Sequence, residues 1–325
     1  MKLISVVTPC YNEEDNVREL YRQVREVFAS LGRYRYEHIF IDNASTDKTV
    51  AILKEIASED RNVKIIVNRR NFGQIRSPHH AFLTARGDAV ISLAADLQDP
   101  PALIPQFIDF WEKDFKVVLG VKRSTEDSMA LGMLRGLYYR LASGMSDVEL
   151  VRNATGFGLY DQEFVSLVRA LDDPYPYTRG LISEFGFPYA TIPYDQPQRE
   201  HGVTKNNWFT LYDVAMTGIT SHSKLPLRLA TMTGFALAAI CLLIALGYFV
   251  YKLLYWNEFP VGIAPIVMGL FFAMAVQLVF LGLMGEYIAV IHTRLLHRPL
   301  VVEKERVNFE PQDISVEEDQ HASVR

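Results

Sequence analysis

The chain of 325 residues has little cysteine and no excess of basic charge. Its two cysteines, Cys10 and Cys241, are too few to imply a disulfide framework. The formal net charge is −5, which argues against nucleic acid as a partner. Pro9 interrupts the first apolar stretch too early for a signal peptide, so we expect the catalytic part to stay in the cytosol. The length itself suggests about two domains.

Two long runs without charge occur late in the chain, at residues 229–251 and 259–285. Each exceeds the roughly 20 apolar residues that cross a hydrocarbon core. The sequence therefore predicts a transmembrane hairpin over 225–298, with helices at about 227–255 and 260–291. Arg228 precedes the hairpin, and Arg294 and Arg298 follow it. The positive-inside rule then places both ends, and the catalytic domain, in the cytoplasm.

The segments on either side of the hairpin have different compositions. Residues 203–224 carry Trp208, Leu211 and Tyr212 at helical spacing, which predicts either an amphipathic helix in the membrane interface or a helix packed in the soluble core. The chain after Val302 is charged and poor in apolar side chains, so we expect residues 299–325 to form a mobile cytoplasmic tail. Small residues in the hairpin favour a homo-oligomer or, equally, close packing of the hairpin on itself. These are Gly234, Ala238, Gly282 and Gly285.

Residues 1–202 alternate short β-rich runs with helical patterns. Strands are predicted at 3–8, 38–41, 63–67, 89–93 and 117–121. This alternation is typical of βα units and predicts an α/β domain with a largely parallel sheet. Polar residues follow several of these strands, at the position where open α/β sheets bind ligands.

The stretch Ile91-Ser-Leu-Ala-Ala-Asp-Leu-Gln-Asp-Pro-Pro101 combines a strand with a loop that holds two carboxylates, Asp96 and Asp99. Mg²⁺ commonly binds one or two carboxylates together with substrate phosphates. The same pattern fits a solvated loop in which an aspartate caps the helix starting near Pro101. From the residues alone, both interpretations stay open.

Three further loops extend the pattern: Thr8-Pro-Cys-Tyr-Asn-Glu-Glu14, Asp42-Asn-Ala-Ser-Thr-Asp47 and Asn68-Arg-Arg-Asn-Phe-Gly-Gln-Ile-Arg76. With residues 91–101 they resemble the membrane-anchored family 2 glycosyltransferases of the GtrB and dolichol-phosphate-mannose-synthase type. The resemblance implies a GT-A (Rossmann-like) nucleotide-sugar domain. It also implies inverting transfer of a hexose, most simply glucose from UDP-glucose, to a polyprenyl phosphate on the cytoplasmic face. Mg²⁺ or Mn²⁺ would be the cofactor.

The resemblance also assigns residues. Asp96 would bind the metal and, with Arg199 and Lys205, would be catalytic. Arg179, Arg199 and Lys205 would face the acceptor phosphate, although basic residues in this place also suit lipid headgroups. The residues that would contact the nucleotide sugar are Pro9, Tyr11, Glu13, Asp42, Asn71, Gly73, Arg76, Asp96 and Gln98.

The sequence departs from the family pattern at five positions. Ala94 stands where the family has the first aspartate of its metal motif, and Asn43 and Ala44 replace an acid and a glycine. The presumed base of the family falls on Gly156, and an arginine of the family falls on Gly158.

These departures leave the general base open. A phosphate acceptor needs none, because its second pKa of about 6 makes it mostly a dianion at neutral pH. Asp161 is the nearest acid to Gly156, but its place before the helical run 162–171 indicates a helix cap. Two other functions remain possible from the sequence: a non-catalytic membrane scaffold or sugar-nucleotide sensor, and a subunit of a polysaccharide synthase.

Overall fold

We describe a computed structural model of the chain, which covers residues 1–123, 154–171, 173, 178–196, 225–255, 263–295 and 299–310. A short 3₁₀ turn, Pro101–Leu103, precedes the fourth helix. The elements in chain order are β1 (Leu3–Cys10), α1 (Val17–Ser30), β2 (Arg35–Asp42), α2 (Thr49–Glu59), β3 (Val63–Asn68), α3 (Gly73–Thr84), β4 (Ala89–Ser92), α4 (Ile104–Trp111), β5 (Val117–Lys122), β6 (Ala154–Asp161), α5 (Gln162–Ala170), α6 (Thr178–Glu184), β7 (Tyr189–Tyr194), α7 (Leu225–Leu254), α8 (Ile263–Leu295) and β8 (Glu303–Val307).

The described strands form one mixed sheet of eight, in the order β7-β5-β6-β4-β1-β2-β3-β8. The neighbours β4, β1, β2 and β3 run parallel, as the βα alternation predicts. β6 lies antiparallel between β4 and β5, and β8 lies antiparallel to β3. The expectation of a largely parallel sheet is therefore correct for β1 to β4 and wrong for β6 and β8. The α/β class and the mixed sheet agree with the expected GT-A type.

Apolar side chains are buried on both faces of the sheet, which explains the continuous apolar runs in the central strands. On one face, α1 packs through Val17, Leu20 and Val24, which recur at helical spacing. On the other face, α3 and α5 contribute Phe82 and Phe164 to a second cluster. Both layers hold the central strands rigidly, so the loops at their carboxyl ends start from fixed positions.

The two predicted hydrophobic segments are helical, and they form a unit separate from the sheet. α7 covers Leu225–Leu254 and α8 covers Ile263–Leu295. Among the residues that the structure describes, one stretch, Phe272–Ala289 in α8, passes as a membrane span by length and composition. The hairpin of two spans stays a prediction, and the amphipathic segment 203–224 lies outside the described residues.

The segment after α8 returns to the sheet unit. We expected residues 299–325 to be a mobile tail, and this is wrong for Glu303–Val307, which form β8 on the edge of β3. The charged sequence of this strand is the reason for the error, because its alternation of apolar and polar residues is too weak to predict a strand. Edge strands are, however, often charged. Residues 311–325 lie outside the described part of the chain.

Candidate active site

The loops that carry the predicted nucleotide-sugar residues lie along one edge of the sheet. Since β4, β1, β2 and β3 are parallel neighbours, their carboxyl ends meet there. Seven of the predicted residues lie at this edge, either in the four loops after these strands or at the ends of the elements next to them: Tyr11, Glu13, Asp42, Asn71, Gly73, Asp96 and Gln98. Pro9, the eighth, lies within the last part of β1.

Hydrogen bonds from backbone N–H groups to side chains connect the first loop to the second loop and to the start of α2. The Asn12 N–H donates to Ser45 Oγ at 2.9 Å, and the Thr46 N–H donates to Asn12 Oδ1 at 2.8 Å. The Glu13 N–H donates to Thr49 Oγ1 at 2.9 Å. Asn12 adopts the left-handed conformation, with φ 57°, which asparagine tolerates better than most residues. The loop that holds Tyr11 and Glu13 is therefore fixed against the loop that follows Asp42.

Asp42 ends β2 with a fully buried side chain. Its Oδ2 accepts a hydrogen bond from the Ser45 N–H at 3.0 Å, whereas Oδ1 has no partner among the described residues. Burial raises the pKa of Asp42, and the hydrogen bonds from Ser45 oppose that shift. A buried acceptor without a donor is costly by about 1–3 kcal/mol, and an N–H group that reached Oδ1 would remove that cost.

Left-handed backbone occurs in the second and fourth loops at residues that are not glycine. Ala44 has φ 63° and Leu97 has φ 58°. This conformation costs an L residue roughly 1–2 kcal/mol, and such strain is concentrated at functional sites. At Ala44 it explains why the family has glycine. Leu97 turns the loop so that the Gln98 N–H donates to Asp96 Oδ1 at 3.3 Å.

Asn43 connects the second loop to the third. Its amide nitrogen donates to Asn71 Oδ1 at 2.9 Å and to the Gly73 carbonyl at 3.1 Å. Its oxygen accepts from the Phe72 N–H at 2.8 Å and from Asn68 Nδ2 at 3.3 Å. A carboxylate could not make the two donations. These two donations explain why asparagine stands at position 43 in place of an acid. The sequence alone did not reveal this reason.

The carboxylates of the fourth loop have different environments. Asp96 is partly exposed, whereas Asp99 is buried and accepts a hydrogen bond from Tyr194 Oη at 2.7 Å. Burial raises the pKa of Asp99, the Tyr194 hydrogen bond lowers it, and the nearby charge of Asp96 raises it. Asp99 thus ties the loop to β7, which leaves Asp96 as the acid that can face a ligand.

The donor set suits a metal that is shared with a substrate. Within the described residues no group of three His, Cys, Asp or Glu side chains is arranged around a common point. Mg²⁺ in nucleotide sites typically takes one or two protein carboxylates and completes its shell with phosphates and water. Asp96, in the loop after β4, meets that requirement.

The chain is similar to several known proteins. Residues 5–166 match Glycosyl transferase family 2. The chain is 33% identical to the bactoprenol glucosyl transferase of Shigella phage SfV, over 93% of this chain and 98% of that protein. It is 32% identical to the uncharacterized glycosyltransferase YkcC of Bacillus subtilis, over 98% of both. The mannosyltransferase PcManGT of Pyrobaculum calidifontis, solved with GDP-Man and Mn²⁺, is 14% identical over 90% of this chain and 86% of that one, with TM-score 0.46. The chain belongs to glycosyltransferase family 2.

In this family 2 glycosyltransferase, the two glycines of β6 have structural causes. Gly156 has φ 96°, a conformation that L side chains rarely adopt, and the space beside it is open. At Gly158 a Cβ atom would collide with the Val118 carbonyl oxygen. An aspartate at the first position would be strained, and an arginine at the second would separate β6 from β5. The backbone of β6 therefore accounts for glycine at both positions.

Asp161, the acid nearest to Gly156 in sequence, is a helix cap, as we expected. It accepts a hydrogen bond from the Glu163 N–H at 2.8 Å, at the start of α5. Trp111 Nε1 donates to its other oxygen at 2.7 Å. These contacts occupy both carboxylate oxygens, so the side chain has a structural role in this glycosyltransferase.

The predicted basic residues are described only in part. The Arg76 guanidinium donates to the Pro299 carbonyl, and so it reaches the segment after α8. The backbone of Arg179 lies in α6, but its side chain is not described. Arg199 and Lys205 lie outside the described residues. The sequence missed Asn43, Tyr194 and the segment 299–310, because each acts through a contact with a distant part of the chain.

Proposed function

We propose that this glycosyltransferase moves glucose from UDP-glucose to a polyprenyl phosphate with inversion at the anomeric carbon. The name of the phage relative, a bactoprenol glucosyl transferase, supports glucose and a polyprenyl acceptor, since the two chains align over nearly their whole lengths. A phosphate oxygen of the acceptor would attack the anomeric carbon while the bond from that carbon to the UDP oxygen breaks.

The buried Asp42 carboxylate is the observation that carries the nucleotide assignment. Its Oδ1 could accept the ring N–H of uracil, and its position at the end of β2 places it two strands from β4, whose following loop holds Asp96. Two strand spacings amount to about 10 Å. A nucleoside diphosphate bound across β2, β1 and β4 would then have its base at Asp42 and its phosphates at Asp96.

The side chains of the site would promote the transfer by orienting the substrates and by neutralising their charge. Asp96 would hold Mg²⁺ or Mn²⁺, which supplies charge neutralisation for the diphosphate as UDP leaves. Arg199 and Lys205 would orient the acceptor phosphate, since guanidinium and ammonium groups both bind phosphate oxygens well. The acceptor arrives as a dianion, so proximity can supply much of the rate without a carboxylate base.

We also propose that α7 and α8 cross the membrane as a hairpin with the sheet unit on the cytoplasmic side. Residues 203–224 would lie in the interface, where the phosphate of a lipid acceptor is found. An added Cβ atom at Gly234, Gly282 or Gly285 meets no atom within 4 Å, so these glycines leave room for another helix. A homo-oligomer fits that room, and crosslinking in several detergents that yields only monomers would refute it.

The test is a panel of radiolabelled donors. Membranes that contain the protein are incubated with undecaprenyl phosphate and UDP-glucose, UDP-galactose, UDP-N-acetylglucosamine or GDP-mannose, and the lipids are extracted. We expect label in the lipid fraction from UDP-glucose alone. Product from another donor would replace the sugar assignment. Folded protein that gives no lipid-linked product with any donor would refute the proposed function.

A further inference from the structure

The segment after α8 contacts both sides of the loop that contains Asn71 and Gly73. Before the loop, the Arg69 N–H donates to the Val302 carbonyl at 2.9 Å. After the loop, the Arg76 guanidinium on α3 donates to the Pro299 carbonyl. The third loop of the candidate site is thus enclosed by contacts with a part of the chain that lies beyond the two long helices.

Glu303 connects β8 to α3 through His80. Its carboxylate accepts from His80 Nε2 at 2.5 Å and from Arg306 Nε and Nη2 at 2.5 Å and 2.7 Å. The side chain is only 21% exposed, and those of His80 and Arg306 are 18% and 12% exposed. Hydrogen bonds to a carboxylate are stronger than neutral ones, and shielding from water strengthens them further.

Pro78 lies inside α3. A proline in a helix removes one backbone hydrogen bond and disturbs the preceding turn. That turn begins at Gly73, whose N–H donates to Asn71 Oδ1 at 2.8 Å and whose carbonyl accepts from Asn43. A shift of α3 would therefore move Gly73 and break the hydrogen bonds that shape the loop.

Glu305 provides a matched comparison on the same strand. It pairs with Lys54 on α2 at 2.6 Å, with side chains 41% and 42% exposed. A register shift between Val67 and Asn68 lets Glu303 and Glu305, two residues apart, reach helices on different faces of the sheet. Both glutamates bind a cation, but only Glu303 contacts the helix that follows the loop.

We propose that Glu303 is a positioning residue for the nucleotide-sugar site. Through His80 it fixes α3, and through α3 it fixes the loop of Asn71 and Gly73 against Asn43. This inference rests on the proposed function for its effect on the donor. Its structural part, the control of the loop by a residue beyond the long helices, stands on the contacts alone.

The experiment uses the full-length protein in lipid nanodiscs, with the variants Glu303→Gln, Glu303→Ala and Glu305→Ala. Amide hydrogen exchange is measured at Phe72 and Gly73, whose N–H groups donate to Asn43 Oδ1 and Asn71 Oδ1 at 2.8 Å. The KM for UDP-glucose and kcat are measured with saturating undecaprenyl phosphate. Thermal unfolding of each variant shows how much protein is folded.

We expect Glu303→Ala to speed exchange at both amides and to raise the donor KM because the loop of Asn71 and Gly73 is held less firmly. The expected rise is about tenfold, the size that one hydrogen bond to a charged group contributes to an equilibrium constant. Glu303→Gln, which keeps one acceptor oxygen, should fall between Glu303→Ala and the wild type. Glu305→Ala should leave both readouts near the wild type. A merely structural role of Glu303 would lower the melting temperature and the active fraction without changing the donor KM.

Two results would overturn the inference. One is exchange at Phe72 and Gly73 that is the same in Glu303→Ala and Glu305→Ala. The other is a donor KM that does not change in folded Glu303→Ala while the wild type transfers sugar. If the wild type uses no donor but exchange still rises selectively in Glu303→Ala, the proposed function fails and the control of the loop is supported.

Discussion

The substitution Asn43→Asp tests whether the site has adapted to an amide. The new carboxylate would keep the acceptor oxygen of Asn43 but lose both donations, to Asn71 Oδ1 and to the Gly73 carbonyl. Two hydrogen bonds contribute about 1 kcal/mol each. The position is 7% exposed, so a charged oxygen would also lie about 3 Å from two acceptor oxygens without much water.

Protonation of the new carboxyl group would recover part of the lost stability. A neutral carboxyl could donate one hydrogen bond. Keeping it protonated costs about 1.4 kcal/mol for each pH unit by which the solution lies above a normal pKa of about 4. We therefore expect a loss of stability of about 2–4 kcal/mol at pH 7. The folded pKa of the new acid would be raised, so the folded state binds the proton more tightly. The loss should then shrink as the pH falls toward 5 and grow as it rises.

The assay is chemical unfolding of the full-length protein at pH 5 and pH 8, together with the KM for the nucleotide donor. Asn62→Asp is the control, because Asn62 is exposed and its amide makes one side-chain donation, to Asp60 Oδ1 at 2.9 Å. The control should lose less than about 1 kcal/mol. An Asn43→Asp protein with unchanged stability and donor KM would refute the argument that the amide organises the loop.

Three further predictions concern acids and a buried histidine. Asp96→Asn should remove most transfer and its response to Mg²⁺ or Mn²⁺. Asp161→Asn keeps a capping oxygen for the Glu163 N–H but loses the oxygen that accepts from Trp111 Nε1, so it should mainly lower stability. Near-normal, metal-responsive turnover by Asp96→Asn would contradict this. With saturating acceptor, the acidic limb of the rate profile should follow the bound phosphate, at or below about 6, and stay in place in Asp99→Asn. If Asp99→Asn binds both substrates but does not turn over, Asp99 is the base. Because burial lowers the pKa of His38 to about 3, stability should fall as the pH drops below the ordinary value near 6.5, and His38→Gln should weaken that fall. Equal acid midpoints of the two proteins would count against it.

The sequence predicted the parts of the site that depend on local patterns. The first four parallel strands follow from apolar runs bounded by turn residues, and each ends at the polar loop that we expected. Asp42, Asn71 and Asp96 lie at one edge because the carboxyl ends of neighbouring parallel strands lie at the same edge of a sheet. The helix cap at Asp161 could also be predicted, since Asp161 directly precedes a segment with apolar residues at helical spacing.

The contacts that shape these loops depend on residues far apart in sequence, and no local pattern contains them. Asn43 looks like the loss of an acid until its amide is seen between Asn71 and Gly73. Tyr194 is a strand residue whose hydroxyl group reaches Asp99, nearly a hundred residues earlier. In the sequence, Gly156 likewise looks like the loss of the family's base. In the structure, its φ of 96° is a conformation that L side chains rarely adopt, which accounts for the glycine.

The pairing of β8 with β3 also affects how the sheet unit can be isolated. A protein shortened to end before Pro299 would leave β3 as a bare edge, with the backbone groups of Ile65 and Val67 open to pairing with another chain. Exposed edges of this kind favour aggregation. A soluble fragment that ends after β7 should therefore precipitate or assemble at random. Supplying residues 299–310, through a flexible linker or as a separate peptide, should keep it in solution.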